Sequence, residues 1–281
     1  MNSVSATDTY LSFLLSLNTD PITIFSCFLL ILARILPIMA LAPFFGSQVL
    51  PRPIKVMFAI SFVAILLPQT LLQIKEPLTL NFIFIGYMLK EVLIGFILGF
   101  LVSIPFYIAQ GSGNLIDTTR GTASLQVSDP TTRSTTGPVG ILYNYILIAI
   151  FFFIGGPILF VEGISNSFKI IPVNNFINPI FFSSYQLPFW QTVIGILDHV
   201  LKMALQLGAP SIIGVLMAEM FLGIANRLAP QVQIVFLGIS LKSWVGLGLL
   251  AAAWFFILNQ LSKESLVWLK FLENTVRQIA L

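Results

Sequence analysis

Gly208–Gly246 reads GAPSIIGVLMAEMFLGIANRLAPQVQIVFLGISLKSWVG. The stretch is strongly apolar, yet it holds Glu219, Arg227 and Lys242 together with Pro210, Pro230 and Gln231. A charge placed in hydrocarbon costs about 2.5 kcal/mol or more, so intramembrane charges turn toward protein or water. The segment therefore predicts a helical hairpin built for packing inside an assembly or around a pathway.

The rest of the chain has the same character. Of its 281 residues 57% are hydrophobic and only 9% charged, with a mean hydropathy of +0.96. Soluble domains carry about 25% charged residues. Lipid or protein must cover the surplus apolar surface, which predicts an all-α integral membrane protein of about six hydrophobic segments, or a subunit of one, with residues 1–281 forming a single membrane domain. The net charge of +3 is small and its basic residues are scattered, which argues against nucleic-acid binding. A single cysteine, Cys27, excludes an internal disulfide and reads as a buried, inert thiol. One histidine, His199, far from that cysteine, argues against a zinc or iron site. The first 33 residues include Asp8 and Asp20 but no Lys or Arg, so the basic region of a signal peptide is missing.

With about 20 apolar residues needed per crossing, the candidate spans are Ile22–Phe45, Val56–Leu72, Phe82–Ala109, Val139–Phe160, Val200–Ala225 and Val232–Leu258. The first contains Arg34 and Pro37, the third Lys90 and Glu91. Residues 110–138 are polar, rich in Ser, Thr and Gly, with Asp117, Arg120, Asp129 and Arg133 as their charges; they read as a loop, with Gly111 and Gly113 as a flexible hinge. Pro172–Trp190 is crowded with aromatics, as at a membrane interface or a protein contact. Residues 259–281 form an amphipathic pattern, with Leu261, Trp268, Leu272, Val276 and Ile279 on one face. That helix lies on the membrane surface or docks on neighbouring subunits. Lys and Arg outside the spans divide evenly between the two sides, so the positive-inside rule assigns no orientation.

Glu91, Gly95 and Gly99 recur every four residues and share one helix face. Small residues at that spacing admit a close helix crossing. Glu219 and Gly223 echo the pattern weakly, with Arg227 four residues on. The carboxylates serve either as a proton or ion relay or as partners of Lys, Arg and backbone donors on neighbouring helices. No His-Glu-x-x-His, Gly-x-Ser-x-Gly or phosphate-binding glycine loop occurs, and Asp198-His199 stands near no nucleophile motif. No catalytic residue, cofactor or metal site is expected.

In order along the chain, Arg34, Pro37, Ala42-Pro43-Phe44-Phe45, Pro51, Lys55, Glu91-x-x-x-Gly95-x-x-x-Gly99-Phe100, Gly113-x-x-Ile116-Asp117-x-x-Arg120-Gly121, Pro138-x-Gly140-x-Leu142-x-Asn144, Ala209-Pro210, Glu219-x-x-x-Gly223, Arg227-x-Ala229-Pro230-Gln231 and Gly238-x-x-x-Lys242 resemble the export-gate family of type III secretion. This family includes the injectisome T component (SctT) and the flagellar biosynthetic protein FliR. Gln233 and Ser240 depart from the family's usual Asn and Pro. Ile116-Asp117-x-x-Arg120-Gly121 looks more like the injectisome branch than the flagellar one. The resemblance implies a non-enzymatic, single-copy subunit of the bacterial inner membrane, virulence-linked in the injectisome branch. It would assemble with R-type and S-type membrane subunits and other export apparatus proteins into a gate that conducts unfolded substrate proteins, raised partly out of the bilayer. It also implies that the polar loop, with Asp117, Arg120, Gly121, Asp129, Arg133, Gly137 and Pro138, plugs the resting channel. Arg34, Glu91, Gly95, Gly99, Glu219, Gly223, Arg227, Pro230, Gln231 and Lys242 are expected in buried charge pairs and tight packing. The rival from another class is a stand-alone secondary transporter or channel, which also uses broken helices and embedded charges. An intramembrane enzyme ranks third.

Overall fold

The computed structural model describes residues 10, 12, 19–45, 51–74, 77–121, 127–128, 135–176, 188–228 and 234–279. In chain order they form α1 (Pro21–Leu41), a 3-10 turn (Pro43–Phe45), α2 (Arg52–Leu71), α3 (Phe82–Thr119), β1 (Val127–Ser128), β2 (Thr135–Thr136), α4 (Pro138–Phe153), α5 (Gly156–Ile170), α6 (Pro188–Leu228), α7 (Ile234–Ala252) and α8 (Trp254–Ile279). The helical expectation holds, with one exception among the described residues: a two-residue antiparallel ladder pairing Val127 with Thr136 and Ser128 with Thr135. The helices Pro21–Leu41, Pro53–Leu71, Phe82–Thr119 and Ile194–Leu228 are long and apolar enough to cross a membrane. The number rises to six if each of two bent pairs, α4 with α5 and α7 with α8, makes one span.

Prolines and glycines punctuate these helices. α1, α2, α4 and α6 carry Pro21, Pro53, Pro138 and Pro188 in their first turn, where proline lacks only an N–H that has no helical partner. α1 ends at Ala42, extended at ψ 116°, as the residue before Pro43 must be. Gly121 ends α3 at φ +82° and Gly155 separates α4 from α5 at φ +75°, a region costly for any residue with a Cβ.

Four expected boundaries move, the fifth span's among them: its helix begins at Pro188 rather than Val200. The third span does not stop at Ala109: α3 runs on to Thr119, so Gly111–Thr119 is helix and Gly111–Gly113 is no hinge. The polar side chains that suggested a loop have partners on one face of the helix, described below, and tertiary contact overrides composition. The fourth span is interrupted at Ile154–Gly155. The sixth is interrupted at Ala253, where Gly238–Ala252 and Trp254–Trp268 meet at 62°. The amphipathic C-terminal helix accordingly begins at Trp254 rather than Asn259.

The chain falls into two compact units. The first comprises residues 1–102, 160–189 and 272–281. Its core sets Cys27, Leu30, Ile31, Ile35 and Ile38 of α1 beside Ala59, Val63, Leu66 and Leu67 of α2 and Phe168 of α5, all buried. Cys27 Sγ lies 3.4 Å from Thr70 Oγ1, and Phe44 meets Phe160 edge-on at 5.1 Å. The second comprises residues 103–159 and 190–271. Its buried residues include Phe106 and Ile116 of α3, Tyr143, Leu147 and Phe151 of α4, and Met203, Leu207 and Val215 of α6.

Candidate functional site

Three constellations carry the polar chemistry. The first lies in the first unit. Arg34 and Glu91 are both fully buried, and Lys90 nearly so. The guanidinium grips the carboxylate at two points: Nε donates to Oε2 at 2.5 Å and Nη2 to Oε1 at 3.0 Å. Such a fork is the strongest pairing available to a carboxylate. Arg34 also donates to Ser167 Oγ at 3.1 Å and to the Ile171 carbonyl at 2.8 Å, and its Cζ sits 4.0 Å from the centre of the Phe168 ring. Lys90 Nζ lies 2.6 Å from Glu91 Oε1 and donates to the carbonyls of Pro172, Val173 and Asn175 at 2.8, 3.2 and 2.9 Å. Two cations and one anion are thus held in a shell of oxygens that close the end of α5. Both oxygens of the Glu91 carboxylate are thus paired with cations.

The small residues explain how α1 reaches Glu91. A Cβ on Gly95 would collide with the Arg34 carbonyl, and one on Gly99 would stand 3.0 Å from Ile38 Cα and 3.1 Å from the Pro37 carbonyl. One face of α3, Glu91-Gly95-Gly99, therefore lies directly on Arg34-Pro37-Ile38 of α1. The close backbone approach brings the guanidinium to the carboxylate.

The second constellation is a polar junction in the second unit, between the last turns of α3 and the start of α4. Asp117 Oδ2 accepts hydrogen bonds from the backbone N–H groups of Val139 at 2.9 Å and Gly140 at 3.4 Å. These are orphan donors of the first turn of α4, whose N-cap residue, Gly137, has no side chain to cap them. Asp117 takes over that duty from another helix and places a negative charge at a positive helix end. Gly137 is what admits it, because a Cβ there would overlap the Asp117 carboxylate. Asp117 Oδ1 pairs with Arg120 Nη2. Asn114 Oδ1 accepts from the Gly137 N–H at 2.9 Å, and Gln110 Nε2 donates to Thr136 Oγ1 at 2.8 Å. A Cβ on Gly113 would strike Gly140. Gln110, Gly113, Asn114 and Asp117 thus form one helix face clasping residues 136–140. Arg120 is buried, and its stem fills the space that a side chain at position 246 would need.

The third constellation is the hairpin of α6 and α7. Ser211 Oγ donates to the Gly246 carbonyl at 2.8 Å. Gly214 has room for no Cβ beside Leu249, and Gly246 stands against Val215. Lys242 Nζ pairs with Glu219 at 2.6 Å, and Leu222 reaches Gly238. Contact positions rise along α6 as they fall along α7, so the two helices run antiparallel, as the sequence predicts. Burial of their charges differs from expectation within this chain. The Glu219 side chain is 56% exposed, and Arg227 is exposed at the end of α6. A Cβ on Gly223 would meet nothing within 4 Å among the described residues. The echo of the Glu91 pattern is one of spacing alone: Glu91-Gly95 faces inward and Glu219-Gly223 outward. Asp129, Arg133, Pro230 and Gln231 lie outside the described residues.

Sequence reasoning missed several partners. Lys90 stood beside Glu91 in an apolar run, and two adjacent charges there were a signal for a shared cluster. Gln110 and Asn114 precede Asp117 by seven and three residues, the spacing of one helix face, but were absorbed into a loop. His199 pairs with Glu264 at 3.1 Å, a contact no motif announces.

The chain is 29% identical over 178 residues to Yop proteins translocation protein T of Yersinia pestis, covering 63% of this chain and 66% of that protein, just under two thirds of its length. Surface presentation of antigens protein SpaR of Salmonella typhimurium is 28% identical over 213 residues, 76% of this chain and 77% of that one. Flagellar biosynthetic protein FliR of Aquifex aeolicus is 27% identical over 223 residues, 76% of this chain and 80% of that one. The family model described as bacterial export proteins, family 1, matches residues 25–266, a range that contains all three constellations, and the chain belongs to that family.

Proposed function

We propose that this chain is a structural, non-catalytic subunit of a type III protein export gate in the bacterial inner membrane. It assembles, in a single copy, with R-type and S-type membrane subunits, and the assembly conducts unfolded proteins. The names of the relatives support export. The identities to the injectisome and flagellar relatives are too even to separate the branches. The Ile116-Asp117-x-x-Arg120-Gly121 stretch carries the injectisome reading, with the flagellar gate as the alternative.

The observation that carries assembly is the surface of α6. Ile194, Leu197, Leu201, Leu205, Ile213, Met217, Met220, Ile224 and Leu228 are each more than half exposed. From the first to the last the helix rises about 51 Å, against a hydrocarbon thickness of about 30 Å. A straight helix would need a tilt of about 54° to immerse that length, beyond the ~40° limit of transmembrane helices. Lipid alone does not cover it, so protein covers part of it. Glu219, Gly223 and Arg227, on the same helix, then meet partner subunits rather than water or lipid.

The polar segment between α3 and α4 supplies the plug. Its hydroxyl side chains interact weakly and yield to a passing polypeptide, while the Asp117 junction holds its base. Deleting residues 122–134, which leaves that junction intact, should raise small-ion leakage in cells expressing the gate. Unchanged leakage sinks the plug. Mild purification from the native operon tests the assembly: several smaller membrane proteins should accompany this chain.

A further inference from the structure

We propose that the corner between α4 and α5 is a wedge that dips into one leaflet of the bilayer and turns back, with Phe152, Phe153 and Ile158 against lipid acyl chains.

The corner is apolar and charge-free: no Asp, Glu, Lys or Arg occurs from Pro138 to Val161. At its tip Phe153 is 92% exposed and Ile158 75%, with Phe152 and Leu159 exposed beside them. Tyr145 and Ala149, on the same side of α4 as Phe152, are exposed as well.

Packing behind the tip fixes which rings stand out. Phe151 is buried and meets the Phe106 ring at 5.9 Å, 68° from parallel. Gly155 turns the chain at φ +75°, and a Cβ on the next residue, Gly156, would overlap the Phe151 ring. Two consecutive glycines thus let the backbone pass beneath Phe151 while Phe152 and Phe153 remain outside.

The backbone of the corner suits hydrocarbon. No water is there to pair an open N–H, so a chain break within it must close on itself. The Ile154 N–H donates to the Ile150 carbonyl at 3.0 Å and the Gly155 N–H to the Phe152 carbonyl at 3.2 Å. The N–H groups of Ile158 and Leu159 both donate to the Gly155 carbonyl, at 3.1 and 3.4 Å. Pro157 has no N–H to satisfy, and Gly156 is buried. A turn facing water or a polar partner needs no such closure.

Two polar side chains set the depth. Tyr145 stands eight residues before Phe153, a rise of about 12 Å along α4, and its phenol fits the headgroup level. Glu162 is exposed four residues past Ile158, a rise of about 6 Å along α5, and a carboxylate stays out of hydrocarbon. Both lengths are shorter than one leaflet's hydrocarbon, about 15 Å. The corner therefore enters and returns rather than crossing.

Photocrosslinking in cells that produce the whole export apparatus tests the wedge. The residue p-benzoylphenylalanine, which inserts into nearby C–H bonds on illumination, replaces Phe153 in one variant and Ile158 in another. After illumination each variant should gain the mass of one phospholipid. A gain of the mass of a membrane protein, or no gain at either position, overturns the proposal. The inference rests on the inner-membrane placement proposed above. Release of the chain from membranes by alkaline carbonate would remove that placement and the wedge together, whereas a retained chain with a protein adduct removes the wedge alone.

Discussion

Glu91→Gln is the substitution whose consequence the structure fixes most closely. The amide keeps the volume of the carboxylate and removes its charge. Arg34 loses its bidentate partner and keeps Ser167 Oγ, the Ile171 carbonyl and the Phe168 ring. Lys90 loses one of its four oxygen partners and keeps three carbonyls. Two cations then share a buried site without an anion. Removing one partner of a buried pair typically costs about 3–5 kcal/mol. The only cysteine, Cys27, provides the reporter: it is fully buried in the same unit, on the same helix as Arg34. A bulky maleimide reaches it only when α1 leaves the helices packed on it, α2 and α3, and labelling appears as a mass shift on this chain, whatever its partners contain. At about 1.4 kcal/mol per tenfold, the labelling rate in membranes should rise between about 100-fold and about 4000-fold. A rate close to that of the native chain would refute the reasoning, because the ion cluster would then contribute nothing to holding α1 against α3.

Three further outcomes follow from the same contacts. Gly95→Ala drives a methyl into the Arg34 carbonyl and should cost about 1–3 kcal/mol, as overpacking does, with Gly99→Ala milder because its neighbours stand at 3.0–3.1 Å; Cys27 labelling ranks the two. Asp117→Ala strips the cap from α4 and leaves Arg120 buried without its anion, an expected loss of about 3–5 kcal/mol. Proteolysis next to Gly121 and Gly137 in native membranes should accelerate accordingly, and Asp117→Asn should recover only part of the loss. A Cβ on Gly223 meets no described residue of this chain, so in Gly223→Leu the Cys27 labelling should stay at the native rate while co-purification with other export proteins falls; a faster labelling rate with normal co-purification would place that glycine in the chain's own packing.

How far the sequence foretold this structure depends on where each signal is stored. The α6–α7 hairpin was legible because charges and prolines stand out in an apolar run, and lipid tolerates them only when protein covers them. The Glu91-Gly95-Gly99 face was legible because four-residue spacing is a property of one helix. Its partner was not: Arg34 lies 57 residues away, and no local pattern ties it to Glu91. Residues 111–119 misled because Gly, Ser, Asn, Asp and Thr are loop-like in composition. Here they are small where α3 meets Gly140 and polar where it caps α4, so a contact with a later segment makes them helical. The breaks at Gly155 and Ala253 left no trace in hydropathy, which continues through both. A glycine at φ +75° is visible only once the backbone is placed. Asp129, Arg133, Pro230 and Gln231 remain expectations from family resemblance alone.

The central claim is that this chain works as one subunit of a larger export gate, and the mass of the gently solubilised particle tests it most directly. Affinity purification from the native operon, followed by native mass measurement, should yield a particle many times heavier than the 31.0 kDa chain, holding one copy of it with several smaller membrane proteins. A monomer or simple homodimer, under conditions that keep such gates intact, would contradict the account.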